Sequence, residues 1–364
     1  MSNNNTLGAF FEQVKKLKDQ GKDIVELNVG DPQVPPPEDV IEKTSEAMWK
    51  EKTHYVLSLG CEELRKMIAS RFGVEKENVA VSAGARVILN TVFSLVGAKE
   101  KIMIPRPYYP PFKQIADFDG KRYLFIDTID DDFGLTAEAV AQKIEETEIP
   151  KFLIVNSPHN PTGKVYPREE MEKLARLSRE KGFTIISDEC YRHFSEQNYS
   201  FRNIDSEAVV VDSCSKTYAM SGWRVGWTVA PPDIIQGIKD YLAVRQGSAC
   251  SFAQEGAIEA IEHNRAINDF SRERELICDW LKDMNIPCPE PEGGFYVFPD
   301  VSKFLQGDIA NTRDLAVYLL EQAGVAVAPG EAFGEFSGRI RISYCLDEKK
   351  LKEGLERIKT LLNK

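Results

Sequence analysis

The chain has 364 residues, a formal net charge of −11, and 42% hydrophobic and 28% charged residues. This composition is ordinary for a globular protein and excludes an intrinsically disordered chain. Lys and Arg alternate with Glu and Asp and form none of the basic patches that binding to nucleic acid or to an anionic membrane requires. Because single hydrophobic cores stop growing near about 250–300 residues, we expect two packed domains.

The seven cysteines are scattered along the chain, without a CxxC pair or a zinc-ligand spacing with histidine. We therefore expect reduced thiols, no bound metal and a cytoplasmic location. The first residues lack the basic-then-apolar pattern of a signal peptide. No run approaches the about 18–20 apolar residues that span a bilayer, so no membrane association is expected.

In chain order, the first landmark is a proline-rich connection at residues 29–40, VGDPQVPPPEDV, which cannot be helical. We expect it to cross between the two domains. The middle of the chain then alternates short apolar runs with amphipathic stretches, a pattern typical of an α/β domain with a largely parallel sheet. The predicted strands are residues 79–81, 101–104, 152–156, 184–187, 208–212 and 225–229.

Two helices are predicted between these strands. Residues 85–96 follow directly after a strand and a glycine. In residues 168–181, Met171, Leu174 and Ala175 fall on one broad side, charged residues fill the other, and Gly182 ends the run.

Beyond about residue 260 the pattern changes. A charged amphipathic segment at residues 263–284 leads to PEGGFYVFPDV, a helix near Thr312–Ala323, and the short apolar runs VAVAPG and RIRISYC. This order is typical of an α+β unit. The predicted fold is α/β: a large domain at residues 37–260 with a mostly parallel sheet flanked by helices, and a smaller α+β domain formed by both chain ends, residues 1–36 and 261–364.

Polar residues follow the predicted strands, where ligands of an open α/β sheet collect. Gly84 precedes a helix, whose first N–H groups and positive dipole end can bind a phosphate, although many strand–helix turns contain glycine. Asn160 lies in the turn SPHNPTG. Asp188 ends an apolar strand, where an ionised carboxylate is costly unless a cation pairs with it. Lys216 follows two hydroxyls in SCSK, and Arg224 comes shortly after.

A single cofactor, pyridoxal phosphate, accounts for this set. It needs a lysine for its aldehyde, an acid at its ring nitrogen, and hydroxyls with an arginine for its phosphate. The residues that meet these needs are Lys216, Asp188, Ser213, Ser215 and Arg224. Asn160 and Tyr191 are candidate donors to the phenolate oxygen, and Tyr109 is a candidate for stacking on the ring.

The order of the motifs points to a family. The chain resembles the fold-type I, class I/II aminotransferases, which include aspartate, alanine and aromatic aminotransferases. The matching strings follow the family's order along nearly the whole chain and are VGDP, HYVLSLGCEELR, SAGAR, PYYPPF, NSPHNPTG, SDECY, SCSKTYAMSGWRVGW, GGFYVF, VAPGEAFG and RIRISY. Agreement of so many strings by chance is negligible.

The resemblance implies transfer of an amino group from an L-amino acid to a 2-oxo acid, with 2-oxoglutarate as acceptor, by a ping-pong mechanism. Lys216 matches the lysine that forms a Schiff base with the cofactor and then acts as a general base. Asp188 matches the partner of the ring nitrogen. Asn160 and Tyr191 match the donors to the phenolate oxygen, and Tyr109 takes the ring-stacking position.

The resemblance also implies binding roles outside this centre. The backbone of Ala85 and Arg86 matches part of the phosphate site, together with Ser213, Ser215 and Arg224. Tyr55 matches a tyrosine that reaches the cofactor of the neighbouring subunit, so a homodimer with shared active sites is expected. Arg341 matches the arginine that binds the substrate α-carboxylate, helped by the Gly30 backbone and Asn160.

Some residues leave alternatives open. Arg339 stands two residues before Arg341 and is the other candidate for the carboxylate. Arg106 and Arg245 are candidates for contact with an acidic substrate side chain, although a surface role fits both equally well. Glu331 replaces a small residue of the family and can reshape the side-chain pocket.

The activity also has rivals. A C–S β-lyase or an amino-acid decarboxylase on the same fold is the alternative that shares the cofactor. A regulator that binds the cofactor without turnover is a rival from another class, and a nicotinamide enzyme fits poorly because no G-x-G-x-x-G follows a strand. His159 and His193 lie near the motifs, but we expect structural or exposed positions for both.

Overall fold

The structure, a computed structural model, describes residues 7–197 and 199–363. The strands among these residues are β1 Val25–Glu26, β2 Val79–Ser82, β3 Lys101–Arg106, β4 Arg122–Asp127, β5 Phe152–Asn156, β6 Thr184–Asp188, β7 Val209–Ser213, β8 Gly226–Val229, β9 Tyr296–Val297, β10 Val325–Ala326, β11 Ala328–Pro329 and β12 Ile340–Ser343. The helices are α1 Leu7–Asp19, α2 Glu38–Trp49, α3 Glu62–Phe72, α4 Ala85–Ser94, α5 Pro111–Phe118, α6 Ala137–Glu146, α7 Arg168–Lys181, α8 Cys214–Thr217, α9 Pro232–Arg245, α10 Ser251–Glu262, α11 Ser271–Asp283, α12 Thr312–Ala323 and α13 Glu348–Leu362.

The central sheet has seven strands in the order β2-β8-β7-β6-β5-β3-β4. Strands β3 to β7 pair in parallel, whereas β8 runs antiparallel to both of its neighbours. All residues of β5 and β7 are buried, as expected for strands covered by helices on both faces. The predicted α/β fold with a mostly parallel sheet is therefore confirmed, and β8 is its antiparallel exception.

The strand predictions agree with the structure within one or two residues at either end. The main omission is β4, Arg122–Asp127, an edge strand whose residues are mostly exposed or half-buried. Residues 123–126 of this strand nevertheless form an apolar run as long as that of β5, so the sequence contained a signal for β4 that the prediction did not use. Asp188 and Ser213 prove to be the last residues of β6 and β7, rather than the first residues after them.

Local sequence signals account for the helix ends. Helix α7 follows Pro167, carries Glu169 and Glu170 in its first turn, and ends at Gly182, which adopts a left-handed conformation with φ of 79°. Helix α12 begins after Asn311, whose side chain accepts a hydrogen bond from the N–H of Asp314. The amphipathic segment at 263–284 contains a single described helix, α11, which starts only at Ser271.

Both chain ends contribute to the smaller α+β part. Strand β1 near the N-terminus pairs in parallel with β10, and β11, β12 and β9 form a three-stranded antiparallel sheet. Phe10 and Val14 of α1 share one hydrophobic cluster with Leu315 of α12 and Leu351 of α13. Within the described residues, no helix combines the length and the apolar character that crossing a membrane demands.

Candidate active site

The parallel register of the central sheet brings the ends of three strands together. Asn156, the last residue of β5, lies opposite Asp188, the last residue of β6, and Asp188 lies opposite Val211 of β7. Directly after β7 comes α8, which carries Lys216. The carboxyl edge of the sheet therefore gathers an acid, an amine and the turn that holds Asn160.

Lys216 is largely buried, with 19% of its side chain exposed. Its Nζ donates a hydrogen bond to the carbonyl oxygen of Gly30 at 2.5 Å and lies 3.7 Å from Oδ1 of Asp31. Burial lowers the pKa of this amino group, and the carboxylate of Asp31 opposes that effect. A lysine with a lowered pKa has more of the neutral, nucleophilic amine at neutral pH.

Asp188 is buried, and burial raises the pKa of its carboxyl group. The opposing influences come from Cys190, whose backbone N–H donates to Oδ1 of Asp188 at 3.2 Å. No lysine or arginine of the described residues contributes to its stabilisation. A buried carboxylate in this situation favours an incoming cation with an N–H donor.

Asn160 stands at the centre of a buried hydrogen-bond network. Its Nδ2 donates to the hydroxyl oxygen of Tyr191 at 3.2 Å, and its Oδ1 accepts from Nη1 of Arg341 at 2.9 Å. The hydroxyl of Tyr191 is also 3.0 Å from that of Tyr296. Burial raises the pKa of Tyr191, so its phenol keeps the proton that it can donate.

Arg341 is buried between two aromatic rings, 4.4 Å from the ring centre of Tyr296 and 4.8 Å from that of Phe333. Its Nη2 donates to the carbonyl oxygen of Asn28 at 2.7 Å. Its Nε, by contrast, has no hydrogen-bond acceptor among the described residues. A buried donor without an acceptor is costly, so this guanidinium is prepared for an anion.

Arg339 occupies a different environment, although it is only two residues away. Its Nη1 donates to the carbonyl oxygen of Phe298 at 2.9 Å, and its guanidinium carbon lies 4.9 Å from the ring centre of Phe133. An ion pair with Asp300 at 3.8 Å completes its contacts. Its guanidinium is engaged away from Asn160, which favours Arg341 of the two candidates.

The predicted phosphate site is assembled around the start of α4. Gly84 precedes Ala85 with φ of 90°, and a Cβ atom at Gly84 would lie 2.6 Å from Nη2 of Arg224. That guanidinium donates to the carbonyl oxygens of Ser221 and Ala83. The close approach requires glycine and brings the arginine next to the free N–H groups of the helix.

The remaining predicted phosphate and ring residues surround this turn. Ser213 and Ser215 are buried at the start of α8. The exposed Arg86 donates from Nη2 to the hydroxyl oxygen of Tyr109 at 2.8 Å, which fixes the tyrosine near the start of α4. Ser213 also donates to the sulfur of Cys190 at 3.7 Å.

Tyr55 is not buried with the other predicted site residues. Its side chain is 94% exposed and lines a surface depression together with residues 248–252. Within a single chain this position leaves the tyrosine free to contact another subunit.

The residues left open by the sequence have other contacts. Arg106 forms a two-pronged ion pair with Asp127 through bonds of 2.7 Å. Arg245 stacks on Tyr241 at 5.9 Å. Both carboxylate oxygens of Glu331 accept hydrogen bonds from Thr312 at the start of α12, so its position has a structural reason.

The two histidines near the motifs have structural contacts. His159 is buried, its ring nitrogens contact Thr162 and the carbonyl oxygen of Pro107, and burial lowers its pKa to about 4. His193 contacts the carbonyl oxygen of Ile267 at 3.0 Å.

Four residues at the site escaped the sequence analysis: Asn28, Asp31, Tyr296 and Phe333. Each lies inside a string already noted for the resemblance or directly beside one. Tyr296 also explains Gly30, because a Cβ atom there would overlap the hydroxyl oxygen of Tyr296. The sequence could not show that these residues lie at the site, because they come from opposite ends of the chain and only the fold brings them together.

Comparisons with known proteins agree with this geometry. The model of the family "Aminotransferase class I and II" matches residues 22–358. A probable aspartate/prephenate aminotransferase from Aquifex aeolicus is 34% identical, over 96% of this chain and 94% of that protein. The aspartate/prephenate aminotransferase of Thermus thermophilus is 31% identical over 96% and 94% of the two chains.

Solved structures give the same result. Aspartate aminotransferase from Thermus thermophilus with maleate superimposes with a TM-score of 0.90 at 31% identity, covering 97% of this chain and 96% of that one. Aspartate aminotransferase from Thermotoga maritima gives 0.89 at 27% identity, covering 100% and 98%. The fold and site thus define an enzyme that transfers amino groups. The chain belongs to the class I and II aminotransferases.

The cofactor of this family is pyridoxal 5′-phosphate, and the residues present fit it. The buried carboxyl group of Asp188 lacks a cationic partner among the described residues, which suits a protonated ring nitrogen. Lys216 would supply the amine for the aldehyde, and the turn at Gly84 with Arg224 would supply donors for the phosphate.

Proposed function

We propose that the site around Lys216 transfers the amino group of L-aspartate to 2-oxoglutarate by a ping-pong mechanism. The observation that carries the proposal is the buried network in which Asn160 connects Tyr191 with Arg341, beside a buried Asp188. This arrangement supplies a donor for an oxygen of the cofactor and a guanidinium for a carboxylate. The amine of Lys216 lies at the same edge of the sheet.

Each residue receives one task in this proposal. Bound pyridoxal phosphate supplies an aldehyde for amines and a ring that accepts the electron pair left when a bond at the substrate Cα breaks. Asp188 would keep the ring nitrogen of the bound cofactor protonated, and Asn160 and Tyr191 would donate to its phenolate oxygen. Lys216, as a neutral amine, would accept the proton from the substrate Cα on Nζ and later give it back.

Binding and orientation belong to a second group of residues. Arg341 holds the α-carboxylate in a two-pronged contact that directs the Cα–H bond toward Lys216. Asn160 and the Gly30 backbone support that contact. The phosphate would be held by the N–H groups of Ala85 and Arg86 together with Ser213, Ser215 and Arg224, and Tyr109 would stack on the ring.

The choice of donor is supported by the relatives. The Aquifex and Thermus proteins are named aspartate/prephenate aminotransferases, and one Thermus structure carries maleate, a dicarboxylate. We expect aspartate to give the fastest donor half-reaction in a panel of amino acids. The half-reaction is measured by the loss of the cofactor absorbance band. Release of pyruvate with ammonia, or of CO₂, as the main product would instead support the β-lyase or decarboxylase alternative.

The covalent role of Lys216 has a direct test. Borohydride reduction of the purified enzyme should fix the cofactor on one lysine, because a reduced C–N bond survives digestion. Peptide mapping by mass spectrometry should place the label on the peptide that contains SCSKTYAMSGWR. Lys303, which also lies at the C-terminal half of the chain and donates to backbone carbonyls, is an internal reference that should stay unlabelled. A label on another lysine refutes the assignment.

We also propose a homodimer with shared active sites, because Tyr55 is exposed within its own chain. Subunits of a Tyr55→Phe variant mixed with those of a Lys216→Ala variant should regain activity. After random exchange, about a quarter of all sites combine a wild-type Tyr55 with a wild-type Lys216. Activity of the mixture is compared with that of each variant alone. A fully active monomer in sedimentation would contradict the shared site.

Two further proposals concern organisation. The cofactor-binding domain comprises residues 37–260 and the smaller domain residues 1–36 and 261–364, a division supported by the pairing of β1 with β10. Because the second boundary falls in the last turn of α10, limited proteolysis should cut first in the exposed segment that follows this helix. A cytoplasmic location is supported by the seven free cysteines, and cell fractionation should recover the enzyme with cytoplasmic markers.

A further inference from the structure

The carboxylate of Asp31 lies beside the amino group of Lys216 and is anchored from its other side. Its Oδ1 is 3.7 Å from Nζ of Lys216, while its Oδ2 accepts a hydrogen bond from Oγ of Ser221 at 2.9 Å. The carbonyl oxygen of the preceding residue, Gly30, accepts the hydrogen bond from the same Nζ. The two carboxylate oxygens of Asp31 therefore contact different groups. The hydrogen bond from Ser221 to Oδ2 fixes the carboxylate so that Oδ1 faces Nζ of Lys216.

The anchor belongs to the turn that also holds the phosphate arginine. Ser221 offers its hydroxyl to Asp31, and its carbonyl oxygen accepts a hydrogen bond from Nη1 of Arg224 at 2.9 Å. Asp31 is thus fixed to the proposed cofactor site by a chain of hydrogen bonds, although its side chain is 45% exposed. A solvated acid without such an anchor would sample many rotamers and would have little electrostatic effect on Lys216.

The charge environment of Lys216 comes from several elements. Asp31 in the connection after β1, Cys345 after β12 and Cys190 after β6 each raise the pKa of the Lys216 amino group. Burial and the guanidinium of Arg341 on β12 lower it. Burial also raises the pKa of both thiols, which keeps them neutral. Asp31 is therefore the group that most strongly counteracts the lowering of the Lys216 pKa by burial.

We propose that Asp31 is a positioning residue for Lys216 in the states in which its amino group is free of the cofactor. The proposal rests on the role proposed for Lys216. When the Cα–H bond of the substrate breaks, its electron pair stays with the substrate and cofactor, and the proton forms a new N–H bond on Nζ. The neutral amine becomes an ammonium, and Asp31 stabilises that positive charge and holds the group at Gly30.

The sign of the effect follows from electrostatics. A nearby carboxylate favours the ammonium and raises the pKa of the amine, so removal of the carboxylate lowers that pKa. Because Asp31 is partly exposed, solvent screens the interaction. We expect the titration midpoint of the Lys216 amino group to fall by about 0.5–1 pH unit in Asp31→Asn.

The experiment uses the apoenzyme, in which the amine of Lys216 is free. Trace acetylation with acetic anhydride across a pH series, with mass spectrometry of the Lys216 peptide, gives the midpoint for the amine. Asp31→Asn should move this midpoint to lower pH, and Ser221→Ala should move it in the same direction by less. Glu38→Gln is the matched control, since it removes an exposed carboxylate at the start of α2, seven positions after Asp31, and should leave the midpoint unchanged.

Two outcomes overturn the proposal: an unchanged midpoint in Asp31→Asn, or an equal shift in Glu38→Gln. A purely structural effect changes the labelling rate at every pH without moving the midpoint. If Asp31→Asn does not fold, the Ser221→Ala variant decides alone, and an unmoved midpoint there rejects the proposal. Borohydride labelling of the wild-type enzyme tests the role of Lys216 separately. A label on another lysine refutes that role, whereas a label on Lys216 with an unmoved midpoint in Asp31→Asn refutes only the proposal for Asp31.

Discussion

Asp188→Asn is expected to lower kcat by about 10²–10³-fold, the range found when a preorganised electrostatic contact to developing charge is removed. The substitution keeps the size of the side chain but removes the negative charge at the end of β6. Without that charge the ring nitrogen of the cofactor loses its proton, and the site no longer stabilises the electron pair from Cα. Because this contact matters most in the transition state, the loss falls on kcat rather than on KM.

Single-turnover kinetics with one good amino-acid donor would measure the effect, and the absorbance spectrum of the bound cofactor would report the protonation of its ring. Asp205→Asn is a suitable control, because Asp205 is also buried but contacts Ser178 and Arg179 of α7. That variant should lose stability and keep its turnover. Transamination by Asp188→Asn at the wild-type rate would show that another group is the partner of the ring nitrogen.

The burial of Asp188 has a consequence for cofactor binding. In the chain alone, burial raises the pKa of this carboxyl group, and among the described residues only contacts with Cys190 oppose the effect. A protonated ring nitrogen beside it would lower that pKa and restore the carboxylate. The acid is therefore unfavourable for the chain by itself and becomes favourable with the cofactor, as is typical of residues at functional sites.

Strands and helices with strong local signals could be predicted from the sequence. Strand β5 and helix α12 have the predicted bounds, because a fully apolar run and an asparagine cap mark them. Edge strand β4 also contains an apolar run, at residues 123–126, but charged residues border it on both sides and the prediction omitted it. The position of Phe270 could not be foreseen either, since this bulky residue takes a left-handed conformation with φ of 57° directly before α11.

The candidate site divides in the same way. Asp188, Lys216 and Asn160 could be named because each follows or ends a strand within a recognisable string. The contact of Arg341 with Asn28 could not, because the two residues are separated by 313 positions. Its association with Asn160, 181 positions away, was implied only by the family resemblance. Only the folded chain brings these residues together, so their pairing leaves no local pattern.

Arg341→Lys is expected to weaken binding of the amino-acid donor strongly. Lysine keeps the positive charge but lacks the planar guanidinium, whose three nitrogens reach Asn160, the Asn28 carbonyl oxygen and a carboxylate from different directions. Loss of one partner in a buried charged contact costs about 2–5 kcal/mol, which corresponds to a fall in kcat/KM of roughly 30- to 5000-fold. A smaller loss of kcat should accompany it, because the Cα–H bond is no longer well directed.

Titration of each variant with maleate, followed by the cofactor absorbance, would separate binding from chemistry. Arg339→Lys is the matched control, because it makes the same change two residues away on a guanidinium that is engaged with Phe298 and Asp300. Its maleate affinity should stay within about threefold of the wild type, since no substrate contact is lost. If Arg339→Lys weakened maleate binding and Arg341→Lys did not, the carboxylate would bind at Arg339. We expect Arg341→Lys to weaken maleate binding and Arg339→Lys to leave it unchanged. The Nε of Arg341 has no acceptor among the described residues, and a buried donor of this kind gains most from an arriving anion.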